Sequence, residues 1–117
     1  MPDLTAERVF NLNPKIRWAG LATDRGEVIF SKMRPGVGSF SPEVFDQAFM
    51  QLGPLILRGV CERLGPWAGP LETVTSFYEK MTLIVTSIRK DCLALTINRE
   101  NAAILPQLIS DLSKLKP

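Results

Sequence analysis

Three strand-like segments joined by very short connections fill most of the C-terminal half of the chain, and they constrain its fold more than any other feature. Residues 71–78 alternate and are rich in Thr and Val, residues 81–88 are β-branched almost throughout, and residues 92–98 place their leucines and isoleucine on one face. The connections, 79–80 and 89–91, are short enough to force antiparallel pairing. The sequence therefore predicts an antiparallel three-stranded meander.

A hairpin is predicted nearer the N-terminus. Residues 16–23 are apolar on both faces after Arg17, which is typical of a central strand that is covered on both sides. Asp24-Arg25-Gly26 supplies turn chemistry, and residues 27–34 form the second strand. With a helix between the hairpin and the meander, the simplest closure sets the last strand beside the first, which gives the order 2-1-5-4-3.

The segment between strands 2 and 3 has the pattern of a long helix. Ser41 is a candidate cap and Pro42 suits the first helical position. One apolar stripe over residues 45–60 is expected to cover the sheet, and the combined apolar arc spans roughly two thirds of the helix, wider than one packed face requires. The excess is a second stripe: Met50, Leu57, Cys61 and Leu64. Either a partner protein or the chain's own N-terminal helix or 65–70 loop covers this stripe, and Gly53-Pro54 is expected to kink or break the helix.

Short helices are predicted at both ends of the chain. Residues 3–12 are expected to form an opening helix capped by Asp3 or Thr5, so that residues 1–14 make up an N-terminal helix and linker. Asn101 is the expected cap of a last helix with a single leucine-rich stripe. The whole, residues 1–117, is predicted to be one α+β domain: a five-stranded antiparallel sheet with a long helix between strands 2 and 3 and with N- and C-terminal helices.

Composition excludes several classes of function. At 117 residues the chain fits one domain, and a net charge of +2 is too small for the electrostatic footprint of a nucleic-acid binder. With no histidine, the chain lacks His-dependent nucleophile pairs, proton shuttles and metal sites. Cys61 and Cys92 are expected to be small buried hydrophobes. We expect no catalytic activity, no cofactor, no metal site and no membrane span, and we expect a cytoplasmic location.

The third strand is predicted to lie at an edge of the sheet without the usual protection. Residues 71–78 contain no Pro or Gly and only one charge, so this strand is available to pair with another chain. The expected interface comprises the second helix stripe and this strand: Met50, Leu57, Cys61, Leu64, Glu72, Val74, Ser76 and Tyr78. Trp67, in the proline-bounded loop before the strand, is a possible anchor for a partner.

Other candidate features have ordinary structural explanations. The glycine-containing segment 34–39 lacks a phosphate-binding pattern and is a linker, and the acidic residues at the start of the long helix complement its dipole. Lys32 and Arg34 near Arg25, or Arg89 with Lys90, either contact an acidic partner or a nucleotide's phosphates, or form ordinary solvated surface. Trp18 is expected in the core.

The order of elements and the stretch Trp-Ala-Gly-Leu-Ala-Thr-Asp-Arg-Gly-Glu-Val-Ile at 18–29 resemble the roadblock/dynein light chain family within the profilin-like group. The resemblance extends from about Ile16 to Leu115, includes the joint at 78–80, and is nearest to small archaeal roadblock-like proteins. It implies a non-catalytic dimer in which long helices pack together and third-strand edges join. Such dimers serve as scaffolds or as regulators of small Ras-like GTPases.

Two functional hypotheses follow. The first is a roadblock-like interaction module, either a homodimer or half of a heterodimer, that binds a small GTPase or acts as a scaffold. The second is a small-ligand-sensing domain of profilin-like or PAS-like architecture. Its ligand would lie between the sheet and the helix, near Trp18, Phe30 and Met33.

Overall fold

A computed structural model of the chain describes residues 4–38 and 64–115. The described elements follow in chain order: an N-terminal helix (Ala6–Phe10), β1 (Ile16–Ala22), β2 (Val28–Met33), a short helix (Gly65–Ala68), β3 (Thr73–Phe77), β4 (Met81–Ile88), β5 (Asp91–Asn98), a 3₁₀ helix (Arg99–Ile104), a C-terminal helix (Leu105–Leu112) and a 3₁₀ turn (Ser113–Leu115).

The five strands form one antiparallel sheet in the order β2-β1-β5-β4-β3. The predicted α+β class and the predicted strand order are both confirmed. The predicted long helix at 43–64, with Met50, Leu57 and Cys61, lies outside the described residues and stays a prediction. Leu64 immediately precedes the short helix, which forms within the proline-bounded loop and has Pro66 in its first turn.

The sheet is buried on both faces, as the apolar character of β1 predicted. The first face packs against the N- and C-terminal helices, and its cluster of buried side chains combines helix and strand residues: Ala6, Val9, Phe10, Ile16, Ala19, Leu21, Ile84, Ile88, Leu93, Leu95, Ile97, Leu105, Leu108 and Leu112. The second face has a cluster of its own: Trp18, Ala22, Leu83, Val85, Cys92 and Ala94. Each large side chain buried in this way contributes roughly 1.5–3 kcal/mol relative to exposure.

The N-terminal helix begins as predicted, because the Thr5 hydroxyl accepts a hydrogen bond from the Arg8 backbone N–H at 3.3 Å. The predicted cap at Asn101 is wrong. A helix capped there would place Pro106 where an N–H should bond to the Ala102 carbonyl, and proline has no N–H to donate. The chain instead passes from β5 into the 3₁₀ helix, and the C-terminal helix begins at Leu105 with Pro106 in its first turn.

Two bulges shape β1 and β2. Leu21 pairs with Phe30 and Ala22 pairs with Val28, so Ile29 is an extra residue in β2. Between β1 and β5, Arg17 is the extra residue. The β2 bulge lies at an edge of the sheet, and its Ile29 side chain is 51% exposed.

Candidate interaction surface

Strand β3 lies at the other edge of the sheet, and its hydrogen bonds to β4 show which of its backbone groups face outward. The Tyr78 N–H donates to the Met81 carbonyl at 2.8 Å, and the Ser87 N–H donates to the Glu72 carbonyl at 3.0 Å. Bonded and non-bonded residues alternate along an antiparallel strand, so the backbone groups of Val74 and Ser76 also face β4. The alternate residues, Thr73, Thr75 and Phe77, therefore present their N–H and C=O groups away from the described sheet.

Of the residues predicted for the interface, Val74 and Ser76 lie on β3, and Glu72 and Tyr78 directly flank it. Val74 packs against the second cluster, and the two-residue periodicity sets the Glu72, Ser76 and Tyr78 side chains on that same side of the strand. The sequence reasoning missed the outward set, Thr73, Thr75 and Phe77. The two-residue connection at 79–80 was the signal that identifies it, because such a hairpin makes residues 78 and 81 a hydrogen-bonded pair and thereby fixes the alternation along β3.

Exposed apolar side chains precede and follow β3 in the chain. Leu64 is 65% and Trp67 is 83% exposed before β3, and Phe77 and Tyr78, at its end, are 55% and 51% exposed. In the described part of the chain, the other large hydrophobic side chains with comparable exposure are Ile29 and Ile109. Exposed aromatic side chains are common anchors at protein interfaces. The role of Trp67 as an anchor stays a prediction.

Opposite charges mark the two ends of β3. Glu72 lies just before the strand and Lys80 lies just after it, and both are exposed. At the same end as Lys80, the Arg99 guanidinium carbon lies 4.6 Å from the centre of the Phe77 ring. The strand itself therefore carries no charge, Glu72 precedes it, and Glu79 and Lys80 follow it.

The β2 edge differs from the β3 edge in having features that block strand pairing. The bulge at Ile29 interrupts the regular ladder, and Lys32 is an exposed charge on the strand. The Lys32 ammonium lies 3.9 Å from a Glu7 carboxylate oxygen, and both side chains are well exposed, so this ion pair adds little stability. Among the described residues, β3 has no bulge and no charge of this kind within Thr73–Phe77.

Arg34 has a structural role that the sequence analysis did not anticipate. Its Nε donates to the Ile16 carbonyl at 2.6 Å, and its Nη2 donates to the Phe10 and Asn13 carbonyls, each at 2.8 Å. The guanidinium also lies over the Phe10 ring at 4.9 Å. The prediction that Arg34 is either solvated or in contact with a partner is wrong, because these donors join β2 to the end of the N-terminal helix.

Trp18 lies in the core as predicted, 6% exposed, and its indole N–H donates to the Ser31 hydroxyl at 3.1 Å. Trp18 pairs with Met33 across β1 and β2, and both belong to the second cluster. Phe30 packs against the first cluster, on the opposite face of the sheet. The three side chains predicted to line one ligand site are therefore divided between two faces, which contradicts that version of the ligand-sensing hypothesis.

Among the groups in 4–38 and 64–115, Asp111 has a resolved shift in pKa. Side-chain hydrogen bonds from Gln107 and then Lys114 hold the pKa of this carboxyl below its ordinary value of 3.8. All three residues belong to the C-terminal helix or the turn after it, so the shift reflects local helix contacts and does not mark a reactive site.

The described ranges, 4–38 and 64–115, lack two kinds of feature. They contain no group of three or more His, Cys, Asp or Glu residues placed to hold a metal ion. None of the described helices is long and apolar enough to cross a membrane.

The sheet order and the terminal helices together define an α+β domain. No protein-family model and no curated protein matches the chain. Solved structures share its fold. A roadblock/LC7 domain from Streptomyces avermitilis superposes with a TM-score of 0.67 at 18% identity, over 93% of this chain and 86% of that one.

Two structures of MglB are similar to the same extent. The gliding protein MglB from Thermus thermophilus gives a TM-score of 0.70 at 16% identity, over 93% of this chain and 78% of that one. A structure of MglB with a tetrameric arrangement gives 0.69 at 15% identity, over 98% and 87% of the two chains. The chain therefore has the roadblock/LC7 fold.

Proposed function

We propose that the chain is a non-catalytic interaction module that forms a dimer through the β3 edge and acts as a scaffold or as a regulator of a small Ras-like GTPase. The observation that carries the dimer is the edge itself: Thr73, Thr75 and Phe77 direct their backbone groups outward on an uncharged strand. The dimer is a homodimer or a roadblock-type heterodimer.

The GTPase and scaffold roles rest on likeness to roadblock proteins, in sequence over 18–29 and in fold over most of the chain. The MglB structures of the same fold, a gliding protein and a tetrameric arrangement, support a role in protein assembly. A cytoplasmic location and an archaeal source belong to the same proposal and rest on the same resemblance. The absence of histidine from the sequence supports a non-catalytic role.

Light scattering over a concentration series tests the dimer, with Thr75→Pro as the decisive variant. Because the Thr75 N–H faces away from β4, proline there removes an outward donor and leaves the bonds to β4 intact. We expect a dimeric wild type and a folded, monomeric Thr75→Pro. A Thr75→Pro variant that stays dimeric would show that the edge is not the interface.

Ser76→Pro is the matched control, since it makes the same substitution one residue along the strand. The Ser76 N–H faces β4, so this variant loses a bond within the sheet and is expected to be less stable than Thr75→Pro. Circular dichroism and urea denaturation distinguish the two effects. Leu57→Glu tests the predicted helix stripe in the same assay, with loss of the dimer in a folded protein as the expected result.

Titration of small Ras-like GTPases from the source organism tests the regulatory role. Binding, or a change in the rate of GTP hydrolysis or nucleotide release, is expected for the wild type and is expected to weaken in Thr75→Pro. If no GTPase binds or responds to the dimer, the regulatory role is wrong and the scaffold role is the one that stays.

A further inference from the structure

We propose that Phe77 and Arg99 form a binding site for one acidic side chain of a partner protein, flanked by apolar residues in the partner's chain. The site lies at the end of the sheet where the β3–β4 turn meets the start of the 3₁₀ helix. It uses side chains on one face of the sheet and not the backbone groups of the β3 edge. The inference therefore goes beyond the proposed dimer and does not depend on it.

The strands hold the two residues of the site in place. Phe77 is the last residue of β3, and its cross-strand partner is Thr82, which shares a face with Ile84 of the first cluster. Arg99 directly follows β5, and its backbone N–H donates to the Lys80 carbonyl at 3.1 Å. With both backbones fixed, the Arg99 guanidinium carbon lies 4.6 Å from the centre of the Phe77 ring.

The Arg99 guanidinium has donors that the described part of the chain does not use. A guanidinium over an aromatic ring keeps its N–H groups at the edge of its plane, where an acceptor can reach them. Arg34 lies over the Phe10 ring in the same way, but its Nε and Nη2 bond to three backbone carbonyls. The Arg99 guanidinium forms no hydrogen bond and no ion pair with residues 4–38 or 64–115, and its side chain is exposed. It is therefore a positioned donor without an acceptor.

The charges next to the site favour a single carboxylate over a polyanion. Glu79 and Lys80 in the β3–β4 turn and Arg99 and Glu100 at the start of the 3₁₀ helix are all exposed, and their charges balance. A balanced cluster does not concentrate a polyanion such as a nucleic acid. Neither glutamate forms an ion pair with another described residue, so neither occupies the Arg99 guanidinium. Recognition then depends on the short-range, bidentate contact between a guanidinium and one carboxylate.

The exposed ring explains why the carboxylate belongs to a protein. Phe77 stays 55% exposed although Arg99 lies over it, so an apolar surface adjoins the guanidinium. A small free anion would leave this surface in water, whereas an acidic side chain with apolar neighbours covers it. Aromatic and arginine side chains are also among those that contribute most to binding at protein interfaces.

A titration with a capped peptide, Ser-Leu-Glu-Phe-Ser, followed by the protein's backbone amide NMR signals, tests the site. We expect shifts centred on Phe77, Arg99 and Glu100 and a dissociation constant of about 1 mM. The same peptide with Gln in place of Glu is expected to bind about fivefold more weakly, because it lacks the carboxylate. Equal binding of the two peptides, or shifts centred elsewhere, would overturn the site.

Variants of Arg99 separate its geometry from its charge. Arg99→Gln is expected to weaken binding of the Glu peptide about fivefold, and Arg99→Lys about threefold, because an ammonium keeps the charge but not the bidentate contact. Arg25→Gln removes an exposed arginine from the β1–β2 turn, at the opposite end of the sheet, and is expected to leave the constant within about twofold. Equal effects of Arg99→Gln and Arg25→Gln would show that only the overall charge matters and that the site is wrong.

The same titration in the Thr75→Pro background separates this inference from the proposed dimer. Binding at Arg99 is expected to be unchanged there, whatever the oligomeric state of the wild type. If the peptide fails to bind to either protein, the site is wrong while the proposed dimer stands. A monomeric wild type that binds the peptide at Arg99 would overturn the dimer and keep the site.

Discussion

Two buried threonines on β4 differ in the hydrogen bonding of their hydroxyl groups. Thr86 and Thr82 are 1% and 0% exposed. The Thr86 hydroxyl donates to the Glu72 carbonyl at 3.0 Å and lies 3.0 Å from the Thr73 hydroxyl. The Thr82 hydroxyl has no hydrogen-bond partner among the described residues. A buried hydroxyl without a partner costs about 1–3 kcal/mol, so the two hydroxyls are expected to contribute differently to stability.

Valine substitutions at these positions are expected to have opposite effects. Thr82→Val removes an unsatisfied group and is expected to raise the free energy of unfolding by about 1 kcal/mol, whereas Thr86→Val is expected to lower it by about 1–2 kcal/mol because the Glu72 carbonyl loses a donor. Urea denaturation of both variants measures the difference. Equal changes in the two would mean that the Thr82 hydroxyl is satisfied in solution.

At the scale of elements, Arg34 holds the N-terminal helix onto the sheet. Arg34→Lys is expected to lower the free energy of unfolding by about 2 kcal/mol, because one ammonium cannot reach the carbonyls of Phe10, Asn13 and Ile16 together. Hydrogen exchange at Val9 and Phe10 is expected to accelerate. Arg25→Lys, in the exposed β1–β2 turn, is the control and is expected to change stability by less than about 0.5 kcal/mol.

The strands were predictable from the sequence because their signals are local. The bounds of β4 are those predicted, and the two-residue connection after β3 allows little other than a hairpin. The strand order followed from closure of the hairpin onto the meander. The start of the C-terminal helix was mispredicted because the capping preference of Asn101 was weighed without the missing N–H of Pro106.

The structural role of Arg34 could not be predicted in the same way. Its three acceptors are backbone carbonyls, which every residue carries, and they meet only when β1, β2 and the N-terminal helix have packed. The outward set on β3 is a different case, since it was predictable from the hairpin at 79–80. The exposure of Trp67 depends on the packing of a whole loop, which local sequence signals do not specify.

At the scale of the whole molecule, the proposed dimerisation would link stability to protein concentration. A dimer that dissociates on unfolding is stabilised by mass action, so the melting temperature of the wild type is expected to rise by about 3 °C for each tenfold increase in concentration. Thr75→Pro is expected to show no such dependence. Differential scanning fluorimetry over a hundredfold concentration range measures both, and a wild-type melting temperature independent of concentration would contradict a stable dimer.

The bulge at Ile29 also limits how large an assembly the sheet can build. A flat sheet with two open edges adds molecules at both sides and grows into a fibre. Here β3 is the edge proposed for pairing, and the bulge and Lys32 guard β2. In the proposed dimer through β3, the continuous sheet ends at a guarded strand on each side. Strand addition is then expected to stop, so that a concentrated solution of the proposed dimer does not polymerise through its sheet edges.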